Sequence, residues 1–249
     1  MIRLSQISTK APEGFTKEEA KRKTKRMAKY IGDLQNIMYA EKKHSLLVVL
    51  QGMDASGKDG ITRNVFAHVN STGTTVFPFK KPTEEEFAHD FLWRVHKQAP
   101  AKGMIQIFNR SHYEDVLIQR VHKWIGEDTV TNRINSINAW ETLLQQDNNT
   151  TVLKFMLHIS RERQKEELQQ RIDDPLKHWK HKDADWKEAE LWDEYMLCYE
   201  DVINRTTTPW FIVPVDQRWY RDYFVAEKVV TTLEAMNLKL PSMDGKMPG

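Results

Sequence analysis

The sequence predicts an α/β protein whose parallel sheet is covered by helices on both faces. Three observations lead there. Five short apolar runs alternate with helix-length segments; the first run, Ser45-Leu46-Leu47-Val48-Val49-Leu50, shows no polar alternation; and a glycine-rich loop follows it directly. A continuous apolar run marks a strand buried on both sides, and strands separated by helices imply right-handed βαβ crossovers. The 249 residues, 40% of them hydrophobic, can bury the core of one large domain, so residues 1–249 are read as a single domain.

The first element is an amphipathic helix over about 16–41. Ala20, Met27, Tyr30, Ile31, Leu34, Ile37 and Met38 recur near the helical period, with Thr16 as N-cap and Glu19 three residues on. Its other face carries Lys17, Lys21, Arg22, Lys23, Lys25, Arg26 and Lys29, where a solvated face and a binding face are both open readings. Further strands are expected at 75–77, 104–108, 152–157 and 211–215, with Pro214 near a strand end. Helices are expected at about 61–70, 84–98, 113–124, 131–147, 161–172, 188–204 and 219–237. The segment 173–187, DDPLKHWKHKDADWK, breaks this alternation: Pro175 stops the preceding helix, and charged and aromatic residues replace any core periodicity. It reads as a mobile lid of helical character, and Trp192 just beyond it reads as a packing residue.

Composition excludes several classes. The formal net charge is +2, so an acidic ligand must be met by local clusters of Lys and Arg. The single cysteine, Cys198, allows no intrachain disulfide and sits in a segment that reads as a buried helix face. No signal peptide or run of about 18 apolar residues is present, so a cytoplasmic protein with no membrane partner is expected. His178 and His181 lack the neighbours of a zinc site.

The loop Gly52-Met53-Asp54-Ala55-Ser56-Gly57-Lys58-Asp59-Gly60 matches G-x-x-x-x-G-K at the strand-to-helix position that this motif requires. Its glycines let backbone N–H groups turn toward a phosphate, the helix start faces the anion with its positive end, and Lys58 adds a full charge. Two positions are unusual. Asp59 stands where a Ser or Thr hydroxyl ordinarily meets Mg²⁺, and Asp54 places a carboxylate inside the cradle, where it repels phosphates unless a metal or an incoming phosphate group is involved. The third strand runs into Asn109-Arg110-Ser111-His112-Tyr113-Glu114-Asp115, at the sheet edge where ligands bind. Arg110 replaces the usual acidic residue there, and its guanidinium can grip a phosphate through two hydrogen bonds.

With these residues the sequence resembles the polyphosphate kinase 2 family. The resemblance rests on Gly52-x-Asp54-x-x-Gly57-Lys58-Asp59-Gly60, Asn109-Arg110-Ser111-x-Tyr113-Glu114-Asp115, Lys80-Lys81-Pro82-Thr83 and Arg171-Ile172-Asp173-Asp174-Pro175-x-Lys177-x-Trp179-Lys180, and it spans roughly 15–237. It implies a P-loop kinase fold of the thymidylate-kinase-like type and Mg²⁺-dependent, reversible phosphoryl transfer between inorganic polyphosphate and AMP or ADP, giving ADP or ATP. It also implies catalytic roles for Asp54, Lys58, Arg110, Asp115 and Arg171, with Asp54 and Asp115 as metal ligands. Phosphate or polyphosphate contacts are expected from Gly52, Ala55, Ser56, Gly57, Asp59, Gly60, Arg63, Lys80, Lys81 and Arg120. Nucleotide contacts are expected from Asn109, Arg110, Glu114, Arg171, Lys177 and Lys180, with Trp179 and Trp186 available to stack on a base or to pin the lid. Two other functions share parts of this pattern: an ATP-dependent nucleotide kinase, and a non-catalytic P-loop module binding RNA through the basic first helix. Asp54 argues against the second, so no nucleic-acid partner is expected, whereas the long first helix could dock on a second copy.

Overall fold

The computed structural model describes residues 1–242. Five parallel strands, β1 (Ser45–Gln51), β2 (Thr74–Pro78), β3 (Ile105–Asn109), β4 (Thr150–His158) and β5 (Trp210–Pro214), form one sheet in the order β2-β3-β1-β4-β5. β1 lies at its centre, paired with β3 through Leu46↔Ile105 and with β4 through Leu46↔Thr151. Every residue of β1 is buried, which is why it carries no polar alternation.

Helices α1 (Lys17–Glu41), α2 (Lys58–Val65) and α10 (Arg218–Ala235) pack together on one face. On the other face lie α5 (Glu114–Val121), α6 (Glu127–Asp147) and α9 (Trp192–Arg205). The Thr16 hydroxyl accepts the Glu19 backbone N–H and caps α1 as the sequence indicates. The expected helix at 84–98 is instead two single turns, α3 (Glu84–Phe87) and α4 (Trp93–His96). The Asp90 carboxylate accepts the Leu92 N–H at 3.0 Å, offering the backbone a turn in place of a continued helix. α2 starts at Lys58, three residues earlier than expected, because Gly57 adopts left-handed backbone (φ 90°) and bends the chain straight from loop into helix.

After α7 (Arg161–Asp173), the segment expected as a lid contains a 3₁₀ turn at Pro175–Lys180 followed by α8 (Asp183–Glu190). Asp174 caps the 3₁₀ turn by accepting the Leu176 N–H, and Pro175 occupies its first position. Trp192 and Cys198 are both buried. No helix among the described residues is long and apolar enough to cross a membrane.

Candidate active site

The loop between β1 and α2 is shaped by three positive φ angles: Gly52 at 151°, Ala55 at 68° and Gly57 at 90°. Gly52 must lack a side chain, since a Cβ there would lie 2.8 Å from the Leu157 carbonyl oxygen. Gly57 and Gly60 face Arg221 of α10, a residue with no motif to announce it. A Cβ on Gly57 would meet Arg221 Nη1 at 2.0 Å, and one on Gly60 would meet Nη2 at 2.6 Å. The guanidinium is buried and held by Asp222, whose Oδ1 accepts Nε at 2.8 Å and Nη2 at 2.6 Å. Fixed positive charge thus underlies the phosphate loop, added to the peptide dipoles of the α2 start.

These contacts make Gly57→Ala a sensitive test. Left-handed backbone costs a residue with a Cβ about 1–2 kcal/mol, and here the methyl also collides with Arg221. The expected outcome is a lower melting temperature together with at least about a tenfold loss of catalytic efficiency with a phosphate donor, because the N–H cradle is displaced. Unchanged melting and turnover would mean that the loop does not use this backbone.

Lys58 is buried, and its ammonium donates to the carbonyls of Gly52 at 2.7 Å and Met53 at 3.2 Å. Burial pulls its pKa down to about 8, and nearby Arg110 adds to the fall; Asp54, Glu114 and Asp59 oppose it. The Asp54 carboxylate forms an ion pair with Arg110. Burial alone would raise the Asp54 pKa, but Arg110, Lys58 and Arg171 outweigh it and hold the carboxyl below its usual value. Arg110 itself stands in left-handed backbone (φ 63°), an uncommon conformation for this residue type, and also reaches Glu114 at 3.5 Å. Asn109 donates to Asp59 at 2.7 Å, tying the end of β3 to the start of α2.

From the lid side, Arg171 donates to Asp185 Oδ2 at 2.5 Å and to the Lys180 carbonyl at 3.2 Å. Burial raises the Asp185 pKa and the negative charge of Asp54 adds to it, which places this lid carboxylate in the field of the reaction centre. Tyr199 of α9 is buried against Gly52, with Glu114, Arg110 and Asp54 around it. Neither Asp185, Tyr199 nor Arg221 belonged to a recognisable motif; each reaches the site from a helix far along the chain.

The structure therefore brings together Asp54, Lys58, Asp59, Asn109, Arg110, Glu114 and Arg171. Other expected residues sit elsewhere. Asp115 is buried, with Oδ2 accepting from Arg94 at 3.0 Å and Oδ1 from Gln119 at 3.0 Å, and these bonds anchor α5. Arg120 is bound to Glu127 and Asp201, each at 2.7 Å, instead of facing a phosphate chain. Lys177 pairs with Asp174 at 3.2 Å, and Lys180 lies over the Trp179 ring at 4.9 Å. Lys80 and Lys81 are exposed beyond β2, the outermost strand on the β3 side.

A magnesium ion fits this arrangement only in part. Among the described residues no group of three or more His, Cys, Asp and Glu side chains could hold a metal ion. Mg²⁺ commonly takes one or two carboxylates and completes its shell with substrate phosphates and water, and Asp54 beside the phosphate loop suits that role.

The polyphosphate kinase 2 family model matches residues 14–241, which include every part of this site. The chain is 47% identical over 211 residues to an AMP/ADP-polyphosphate phosphotransferase of Meiothermus ruber, covering 84% of this chain and 79% of that one. It is 38% identical to an ADP-polyphosphate phosphotransferase of Rhodopseudomonas palustris, over 85% and 78% of the two chains. The crystal structure of polyphosphate kinase 2 from Arthrobacter aurescens superposes with a TM-score of 0.94 at 38% identity, over 98% of this chain and 89% of that one. A phosphate loop carrying Asp54, an arginine at the end of β3 and a match that runs from α1 to beyond α10 all lead to one assignment: the chain belongs to the polyphosphate kinase 2 family.

Proposed function

We propose that this enzyme moves the terminal phosphoryl group between inorganic polyphosphate and AMP or ADP, reversibly and with Mg²⁺, in the cytoplasm. The observation that carries the reading is the ion pair of Arg110 with Asp54, which sets a guanidinium from β3 against a carboxylate inside the phosphate loop. Two phosphates bound there, one in the loop and one at Arg110, stand end to end, and phosphoryl transfer needs little else beyond alignment and neutralised charge. The names of the relatives support polyphosphate with AMP or ADP as the substrate pair.

In this reading Lys58 leaves the Gly52 and Met53 carbonyls to neutralise the donor phosphate. Arg110 exchanges Asp54 for the acceptor phosphate. Arg171, on the lid side, adds charge as the segment approaches, with Lys177 and Lys180 available to the nucleotide. Asp54, released from Arg110, would hold Mg²⁺; when bound, the ion offsets the charge that builds on the transferring group. Asp59 is held by Asn109 and keeps the two halves of the site in register.

An ordinary ATP-dependent nucleotide kinase shares the loop, so the test is donor choice. Purified enzyme with Mg²⁺, long-chain polyphosphate and ADP should form ATP with no other donor present. Under the same conditions Asp54→Asn, which keeps the size and removes the charge, should slow turnover by about a hundredfold while polyphosphate still binds. Near-normal turnover of Asp54→Asn would reduce that carboxylate to a partner of Arg110 alone.

A further inference from the structure

We propose that Arg94 of α4, which lies outside every motif of the sequence, is a positioning residue: it aims Lys80 and Lys81 at a substrate phosphate by tying their loop to the helix behind Arg110. The proposal rests on the phosphoryl-transfer reading of the site.

The Arg94 guanidinium is 6% exposed and meets acceptors from three segments. Nη1 donates to the Lys80 carbonyl at 2.8 Å, and Nη2 donates to Asp115 Oδ2 on α5 at 3.0 Å. Glu86 Oε2 of α3 lies 3.7 Å from Nη1. That carboxylate also accepts the Thr83 N–H at 2.9 Å, and the Thr83 hydroxyl accepts the Glu86 N–H at 3.2 Å, so both ends of the segment 80–86 reach the same cation. The guanidinium stands 5.4 Å from the centre of the Phe79 ring, which packs edge-on against Phe108 of β3 at 4.8 Å. Asp115 is fixed in turn. Gln119 donates to its Oδ1 at 3.0 Å, and Arg133 of α6 donates to its backbone carbonyl at 2.5 Å and to Gln119 at 2.8 Å.

The place of this clamp in the sheet gives it a role beyond packing. β2 and β3 pair as far as Pro78↔Asn109, and the Phe79 N–H donates to the Asn109 carbonyl at 3.1 Å. Past that bond one chain carries Lys80 and Lys81, and the other carries Arg110. Arg94 spans the gap from the Lys80 backbone to Asp115, and Glu114 beside Asp115 reaches Arg110 at 3.5 Å. The Lys80 carbonyl is drawn inward while the Lys80 and Lys81 side chains stay exposed. Lysine is a point charge on a flexible stem, so where its backbone is held decides which phosphate it can reach. A guanidinium present only to neutralise Asp115 needs one acceptor. This one divides its two terminal nitrogens between a carboxylate and a loop carbonyl, a geometry that a single ammonium cannot reproduce.

The test is a double-mutant cycle. Arg94→Lys keeps a cation for Asp115 but cannot hold the carboxylate and the Lys80 carbonyl together. ATP formation from ADP and long-chain polyphosphate is measured for the parent, Arg94→Lys, Lys80→Ala/Lys81→Ala and the triple variant, with the KM of each substrate recorded separately. Arg94→Lys should lower kcat/KM at least about tenfold in the parent, but less than about twofold in the Lys80→Ala/Lys81→Ala background, where the side chains it positions are already gone. The substrate whose KM rises in Arg94→Lys, polyphosphate or ADP, should be the one whose KM rises in Lys80→Ala/Lys81→Ala, and that match identifies the phosphate they grip. If melting curves show Arg94→Lys unfolded, Arg94→Met with Asp115→Asn removes both buried charges and takes its place in the cycle. Additive losses, a mismatch of substrates, or a shifted melting temperature with kcat and both KM values unchanged would each overturn the proposal and leave Arg94 a structural residue. A parent enzyme that makes no ATP from polyphosphate sinks the functional reading, and this inference with it.

Discussion

Lys58→Ala should lower turnover by about 10²–10³-fold, the range found when one preorganised charge at a developing anion is removed. The side chain contributes little to the fold that a methyl cannot replace. Its ammonium is desolvated, which is why its pKa falls to about 8, and its partners are two loop carbonyls that water can satisfy in the variant. The melting temperature should therefore stay near that of the parent. The same pKa sets a pH dependence. Only the charged form neutralises donor phosphate, so catalytic efficiency of the free enzyme should fall as pH rises through about 8. Activity within a few-fold of the parent, or an alkaline limb absent up to pH 10, would remove Lys58 from the chemistry.

The second large effect lies beneath the site. Lys154, in the middle of β4, is fully buried and donates to Glu141 at 2.9 Å and to the Tyr113 hydroxyl at 2.6 Å; Tyr113 in turn donates to Glu141 at 2.7 Å. Burial pulls the Lys154 pKa down to about 8. Burial would push the Glu141 carboxyl up, but His112 and Lys154 outweigh it and bring it to about 2. Glu141→Gln leaves a buried ammonium without its counter-charge and should cost about 3–5 kcal/mol. In a chain of this size that corresponds to roughly 10 °C in melting temperature.

Glu141→Leu with Lys154→Met should recover most of this loss, since no uncompensated charge remains. The carboxylate's contribution is complete above its ordinary pKa of 4.5 and is lost as pH falls toward about 2, so the parent should show acid sensitivity in that window that Glu141→Gln lacks. Tyr113 directly precedes Glu114, and its N–H donates to Ser111 Oγ at 3.2 Å, which also accepts from Gln51. Disturbing the network should therefore lower turnover as well as stability, through the segment that carries Arg110. A Glu141→Gln variant that melts with the parent would show that the pair is solvated in solution.

Much of this site was written in local sequence. The phosphate loop is legible because glycine freedom, a buried strand before it and a helix start after it are properties of consecutive residues. Arg110 was legible for a similar reason: it follows an apolar strand where a parallel sheet ends. Together with the lid segment these residues specified the family before any contact was known. What local sequence could not supply was the pairing of residues far apart in the chain. Arg221 reaches Gly57 across more than 150 positions and carries no pattern of its own. Lys154 reads only as an interruption in an apolar strand until Glu141 is found opposite it. Asp115 looked like a ligand group from its place in the second motif, and Arg120 as one cation of a basic track for polyphosphate, yet packing directs Asp115 to Arg94 and Arg120 to Asp201. The lysine face of α1 remained ambiguous as a periodic pattern, because the period fixes which side chains share a face and not what lies opposite. Packing of α1 against α2 and α10 decided that, placing Lys17, Lys21 and Lys25 in the wall of a groove and leaving the other cations of that face outside it.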